Sequence, residues 1–171
     1  MKNEDGSSNN LAILLLVAIT IILVVLILIF CLRFFPMFEW KITTIPAIFV
    51  ITNVIHVDDY NGKLNYDSRL IITHKGTISY KNSNLKATVY RNGKPLNCVI
   101  ETLNGNEFVK TVHYGVQWIG YAGCSGATWA PGEMSAIDLT DGTFHPGDTA
   151  QIDIIDKGTN EVISRHVYRI K

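Results

Sequence analysis

Leu11-Ala12-Ile13-Leu14-Leu15-Leu16-Val17-Ala18-Ile19-Thr20-Ile21-Ile22-Leu23 opens a run that continues to Leu32 without a charge, a Gly or a Pro. Thr20 and Cys31 are its only breaks from hydrocarbon side chains. At about 1.5 Å per residue, a helix over these positions covers roughly 33 Å, enough to cross a hydrocarbon core of about 30 Å. A core helix of a globular domain would keep a polar face, and this one has none. Arg33 stops the run and Pro36 is expected to end the helix. Phe34, Phe35, Phe38 and Trp40 follow, as an interfacial aromatic belt would. A cleaved secretory signal has an apolar stretch of about 7 to 15 residues and then a small-x-small site. This run is longer and ends Leu32-Arg33-Phe34-Phe35-Pro36, so the segment is expected to be retained. The lipid bilayer is thus the first expected partner.

Outward from that helix, the 171 residues suffice for an anchor and one domain. Formal net charge is zero with no basic block, which gives nucleic acid no electrostatic reason to bind. Charge does not orient the span either. Lys2 stands with Glu4 and Asp5 on one side, and Arg33 and Lys41 flank the other.

From Pro46 onward the pattern changes to short β-branched and aromatic runs separated by turn dipeptides such as Asn61-Gly62, Asn92-Gly93, Asp141-Gly142 and Pro146-Gly147. Asn-Gly and Asp-Gly reach positive φ cheaply, as tight turns require. Strands are expected over Ile48–Val57, Arg69–Lys75, Leu85–Arg91, Asn97–Thr102, Phe108–Val112, Met134–Leu139, Thr149–Asp156 and Glu161–Ile170, the last two as a hairpin. Leu85, Ala87 and Val89 alternate with Lys86, Thr88 and Tyr90; Ala150, Ile152 and Ile154 alternate with Gln151, Asp153 and Ile155. Alternation of this kind marks antiparallel strands with one buried face. The expected fold class is therefore mainly β: an antiparallel β-sandwich preceded by one long hydrophobic α-helix.

The polar stretch Glu4-Asp5-Gly6-Ser7-Ser8-Asn9-Asn10 standing before the apolar run resembles the N-terminus of archaeal type IV pilins. So do Pro46-Ala47-Ile48-Phe49-Val50-Ile51, Leu70-Ile71-Ile72-Thr73-His74-Lys75-Gly76, Trp129-Ala130-Pro131-Gly132-Glu133 and Phe144-His145-Pro146-Gly147-Asp148, in that order along the chain. The resemblance implies a prepilin-type leader over 1–6, cut between Gly6 and Ser7 by a prepilin peptidase. It implies a filament-core helix over 7–35, a linker over 36–45 and a β-domain over 46–171 held outside the cell. It implies self-association through the helix, contact with the pilus assembly machinery, and a role in adhesion or surface contact. The alternative is a permanently anchored surface binding module.

Among candidate sites, Cys98 and Cys124 are expected in the outer domain, where a disulfide is permitted; two buried free thiols are the alternative. Cys31 at the end of the span reads as apolar filler. The segment Tyr114 to Trp129 interleaves Gly115, Gly120, Gly123 and Gly126 with Tyr114, Trp118, Tyr121 and Trp129. It reads either as an adhesive or subunit-contact loop or as aromatics packed on the sandwich edge. His56, His74, His113, His145 and His166 are scattered and read as structural. Asp58-Asp59 and Asp138, Asp141 and Asp148 read as solvated turn acids, with calcium binding as the alternative, although their spacing does not fit the twelve-residue EF-hand loop. Neither cysteine of the domain has a second ligand at zinc spacing, and Gly123-Cys124-Ser125-Gly126 is not a nucleophile elbow. No catalytic residue, cofactor or metal is assigned, and no enzyme activity is expected.

Overall fold

The computed structural model describes residues 5–34, 44–58 and 60–171. The chain divides into two compact units, Met1–Thr43 and Thr44–Lys171. It is mainly β, with antiparallel sheets and one long apolar helix, as expected.

The first unit holds helix α1, Asp5–Phe34. Its stretch Asn10–Arg33 has a mean hydropathy of 3.7 and is long and apolar enough to cross a membrane. Thr20 donates its hydroxyl to the Val17 carbonyl at 2.8 Å, so the one hydroxyl in the apolar run is satisfied within the helix. In hydrocarbon an unsatisfied one would cost several kcal/mol. The linker expected over 36–45, with most of the aromatic belt, lies largely outside the described residues.

The second unit is built from β1 (Phe49–Val57), β2 (Leu64–His74), β3 (Tyr80–Lys81), β4 (Leu85–Arg91), β5 (Lys94–Pro95), β6 (Val116–Gly120), a single helical turn α2 (Ala122–Ser125), β7 (Thr128–Trp129), β8 (Met134–Leu139), β9 (Thr149–Asp156) and β10 (Val162–Arg169). One sheet has the order β1-β2-β8-β6 and the other β10-β9-β4-β5, while β3 and β7 form a short ribbon. Every pairing between strands is antiparallel. The inward faces meet in one core: Phe49, Ile51, Leu70, Ile72, Ile137 and Leu139 from the first sheet against Leu85, Val89, Ile152 and Ile154 from the second. The alternation along β4 and the β9–β10 hairpin both appear as expected.

Asp153 departs from the solvent-facing role that alternation gave it. It is almost fully buried. Arg165 reaches across from β10 to donate Nε–H to its Oδ1 at 2.7 Å, and Gln151 donates to the same oxygen at 3.1 Å. A buried carboxylate needs such partners.

The two sheets are stitched along the edge where β1 meets β10. Phe49 donates its amide to Ser164 Oγ at 2.9 Å, Ile51 donates its amide to His166 Nδ1 at 3.1 Å, and Arg165 donates its amide to the Pro46 carbonyl at 3.0 Å. An open strand edge invites pairing with another chain; here side chains of β10 occupy it.

Two expected strands do not form. Asn97–Thr102 makes only an isolated bridge, Ala87 to Ile100. Phe108–Val112 folds into turns closed by the His113 amide on the Val109 carbonyl at 3.1 Å. Val109 and Val112 are exposed, so these β-branched residues have no sheet to pack on. The strand that takes the place beside β8 is β6, inside the glycine-rich aromatic segment.

Candidate functional site

The segment Tyr114–Trp129 splits by environment. Trp129 is fully buried, which removes it from any contact surface. Its indole N–H donates to the Glu133 carbonyl at 3.0 Å, and its ring stands 4.5 Å from Phe49. Gly123 makes room for it: a β-carbon there would sit 2.3 Å from Trp129 Nε1. Tyr114, Trp118 and Tyr121 remain at the surface.

A β-bulge at Gln117 sets the direction of Trp118. Pairing with β8 shifts register between Val116 and Trp118, so Val116 and Ile119 point inward while Trp118 faces out and Gly120 is buried beneath its ring. Bulges re-aim side chains in this way. The indole folds along the strand onto Gly120, where a β-carbon would lie 1.9–2.5 Å from three atoms of its six-membered ring. Tyr121 meets Trp118 edge-on, with centroids 5.7 Å apart and planes at 81°. Its backbone has φ of 72°, an uncommon conformation for a non-glycine residue. The Tyr121 carbonyl accepts the amides of Cys124 and Ser125, which ties that turn to α2. Trp118 and Tyr121 are 41% and 42% exposed, so each is anchored yet open to a partner.

Beside the aromatic pair lies a charged group that the sequence did not assemble. Asp138 is registered opposite Trp118 on one side and opposite Arg69 on the other. The Arg69 guanidinium is 3.2 Å from Asp67 and 3.7 Å from Asp138. Asp67 Oδ1 and Asp138 Oδ1 are buried with no hydrogen-bond partner. Burial, and then the Asp67 charge, push the Asp138 carboxyl up to about 6, against the pull of Arg69. Gln117 donates to Asp141 at 3.1 Å at the margin of this patch. Period-2 reading hid the arrangement, because the bulge breaks the alternation that would have placed Trp118 beside Asp138.

The disulfide expected between Cys98 and Cys124 is absent, and both are free thiols. Cys124 is a core residue whose thiol donates to Ser135 Oγ at 2.8 Å, and burial pushes it up to about 12. Cys98 instead lines a shallow cleft of about 290 Å³ with Leu96, Tyr114, Leu139 and Thr140, and burial raises its pKa too. Such thiols are poor nucleophiles. Gly6 and Ser7 lie in the first turns of α1.

The remaining polar residues are held in structural roles. Asp58 accepts the amides of Tyr60 and Asn61, while Asp59 lies outside the described residues. Asp148 binds Arg91 at 2.7 Å and Asn92 at 2.7 Å. His74 accepts the Gly76 amide and packs edge-on against Phe49 at 4.6 Å, and His166 accepts the Ile51 amide. Among the described residues no three His, Cys, Asp or Glu side chains converge as metal ligands.

No family model and no curated protein matches the chain. Among solved structures it is similar to one from the archaellum periplasmic stator protein complex FlaF and FlaG of Sulfolobus acidocaldarius. The identity is 10% and the TM-score 0.40, over 75% of this chain and 92% of that one. A likeness this loose carries no functional inference.

Proposed function

We propose that this chain is a membrane-anchored surface protein, in which α1 sits in the bilayer and the β-sandwich faces outward to make contacts. The observation that carries this is the pairing of a helix with no polar face and a separately packed β unit. A hydrophobic stretch of this length has few other stable environments. The finer reading is a subunit of a type IV pilus-like archaeal filament. Its support is the polar stretch Glu4–Asn10, with Gly6-Ser7 inside it, standing ahead of the run Leu11–Leu32 that is apolar on every side, which is what copies packed into a filament core would need.

The second reading, a permanently anchored binding module, is favoured by one specific observation: the exposed Trp118–Tyr121 pair beside Asp138. Neither reading calls on catalysis, since fold alone assigns no activity.

Intact-mass measurement on membrane and sheared surface fractions of native cells separates the two. A chain beginning at Ser7 in sheared filaments supports the subunit. A full-length chain confined to membranes overturns it and leaves the anchored module.

A further inference from the structure

One of the ties that close the seam between β1 and β10 depends on the protonation state of a single ring. Along this seam the Arg165 amide donates to the Pro46 carbonyl at 3.0 Å, the Phe49 amide to Ser164 Oγ at 2.9 Å and the Ile51 amide to His166 Nδ1 at 3.1 Å. The first two are a backbone pair and a hydroxyl, which do not titrate. The third needs the Nδ1 lone pair, so the His166 ring must be neutral with its proton on Nε2. In the protonated ring both nitrogens are donors, and Nδ1–H would then face the Ile51 N–H with no acceptor between them.

The surroundings of the ring do nothing to offset that change. On β10, Arg165 is engaged by Asp153, Arg169 is exposed, and Tyr168 follows two residues along. On β9, Ile152 stands opposite His166 in register, and the neighbouring Asp153 is held by Arg165. On β1 the titratable residue is His56, whose Nδ1 lies 3.2 Å from the Val54 carbonyl. Burial alone lowers His166 from its ordinary 6.5, with no charged group pulling it either way.

We propose that the His166–Ile51 contact is an acid-operated latch: protonation of His166 releases β1 from β10 and opens the seam between the two sheets, while each sheet keeps its own pairing. The opening is local because β1 stays paired with β2, and β10 with β9, through bonds that do not involve the ring. In the open seam the ring returns to water and to its ordinary 6.5. Opening therefore takes up a proton between that value and the lower one of the closed seam. Across this window opening becomes easier as pH falls, by at most about tenfold per pH unit for one histidine. The freed edge of β1 presents backbone groups that a further strand can pair with.

Amide hydrogen exchange of the full chain in detergent micelles, from about pH 7.5 to about pH 5, tests the latch, with rates converted to protection factors to remove the intrinsic pH dependence. We expect the Ile51 amide to lose protection by up to about tenfold per pH unit within the window. The loss should be little changed by sub-denaturing urea, which accelerates amides that exchange only by global unfolding. His74 accepts the Gly76 amide and lies near Glu133, so its own titration is read at Gly76. His166→Asn puts a non-titrating oxygen where Nδ1 stands and should keep Ile51 protected throughout. If Ile51 in this variant is already unprotected at the upper pH, the wild-type ring decides, since its nitrogen resonances should titrate where Ile51 protection falls. Ile51 protection that is constant with pH, or lost only together with the urea-sensitive amides, overturns the latch. So does an unaltered pH slope in a protected His166→Asn variant, or a ring titration displaced from the loss of protection.

Discussion

The indole of Trp118 lies on Gly120, so closely that a β-carbon at that glycine would stand 1.9 Å from the ring. The glycine is therefore the floor of the exposed aromatic surface. Gly120→Ala should displace the indole at a cost of about 1–3 kcal/mol, the usual range for overpacking. The expected result is a lower urea midpoint with a shifted Trp118 resonance; an unmoved resonance would mean that the ring does not rest there.

Gly123 bears the same relation to buried Trp129, with the difference that nothing can move outward. A β-carbon would meet Nε1 at 2.3 Å and Ser135 Oγ at 2.7 Å. Trp129→Ala should cost about 3–5 kcal/mol as a large core truncation. Gly123→Ala should also be clearly destabilising, whereas Gly126→Ala, with nothing nearer than 3.6 Å, should change little. Equal melting temperatures for the two alanine variants would contradict this packing.

Ser164 and Phe49 test the stitching of the two sheets. Ser164→Ala leaves the Phe49 amide buried without an acceptor, which should cost about 1–3 kcal/mol. Hydrogen exchange should quicken first at Phe49 and Ile51, before the centre of β2 is affected. Uniform acceleration across both sheets would show that this edge does not open independently.

The thiols give a redox prediction. Cys98 and Cys124 are free, so melting temperature should be indifferent to reductant, and both should alkylate after unfolding without prior reduction. A bridge typically contributes about 2–4 kcal/mol, so a marked fall of the melting temperature in reductant would refute the free-thiol state.

Acid should destabilise the domain through its histidines. Burial holds His74 and His166 below their ordinary 6.5. Between the folded values and 6.5 the unfolded chain binds more protons, so stability falls as pH drops through that window. Asp138 has the opposite sign: raised from 3.8 to about 6, it binds its proton more readily when folded and gains stability as pH falls across that interval. Asp138→Asn removes this counterweight, so its urea midpoint should fall more steeply from pH 7.5 to pH 5 than that of the wild type. A shallower fall would refute the assignment.

Much of the fold was legible from residues 1–171 read in order. The strands Leu85–Arg91, Met134–Leu139 and Thr149–Asp156 were readable to the residue, because each stands between clear turn signals and the first also carries its alternation through to Tyr90. The errors fall where neighbours override local pattern. Phe108–Val112 is rich in β-branched and aromatic residues but finds no sheet. Val116–Gly120 looked like loop because of its glycines and its bulge, yet it pairs along β8.

For the surface patch, the sequence by itself named Trp118 and Tyr121 but grouped them with Trp129. It could not tell which aromatic was buried, since that depends on the space that Gly123 leaves and on the pairing of β7 with β3. Hydrophobic length and residue alternation are local properties, so the apolar helix and the β character of the domain were determined before any contact formed. The meeting of Asp67, Arg69, Asp138 and Trp118 was decided only by tertiary structure. Three strands distant in sequence must pair in one register, offset by one bulge, before those side chains share a face.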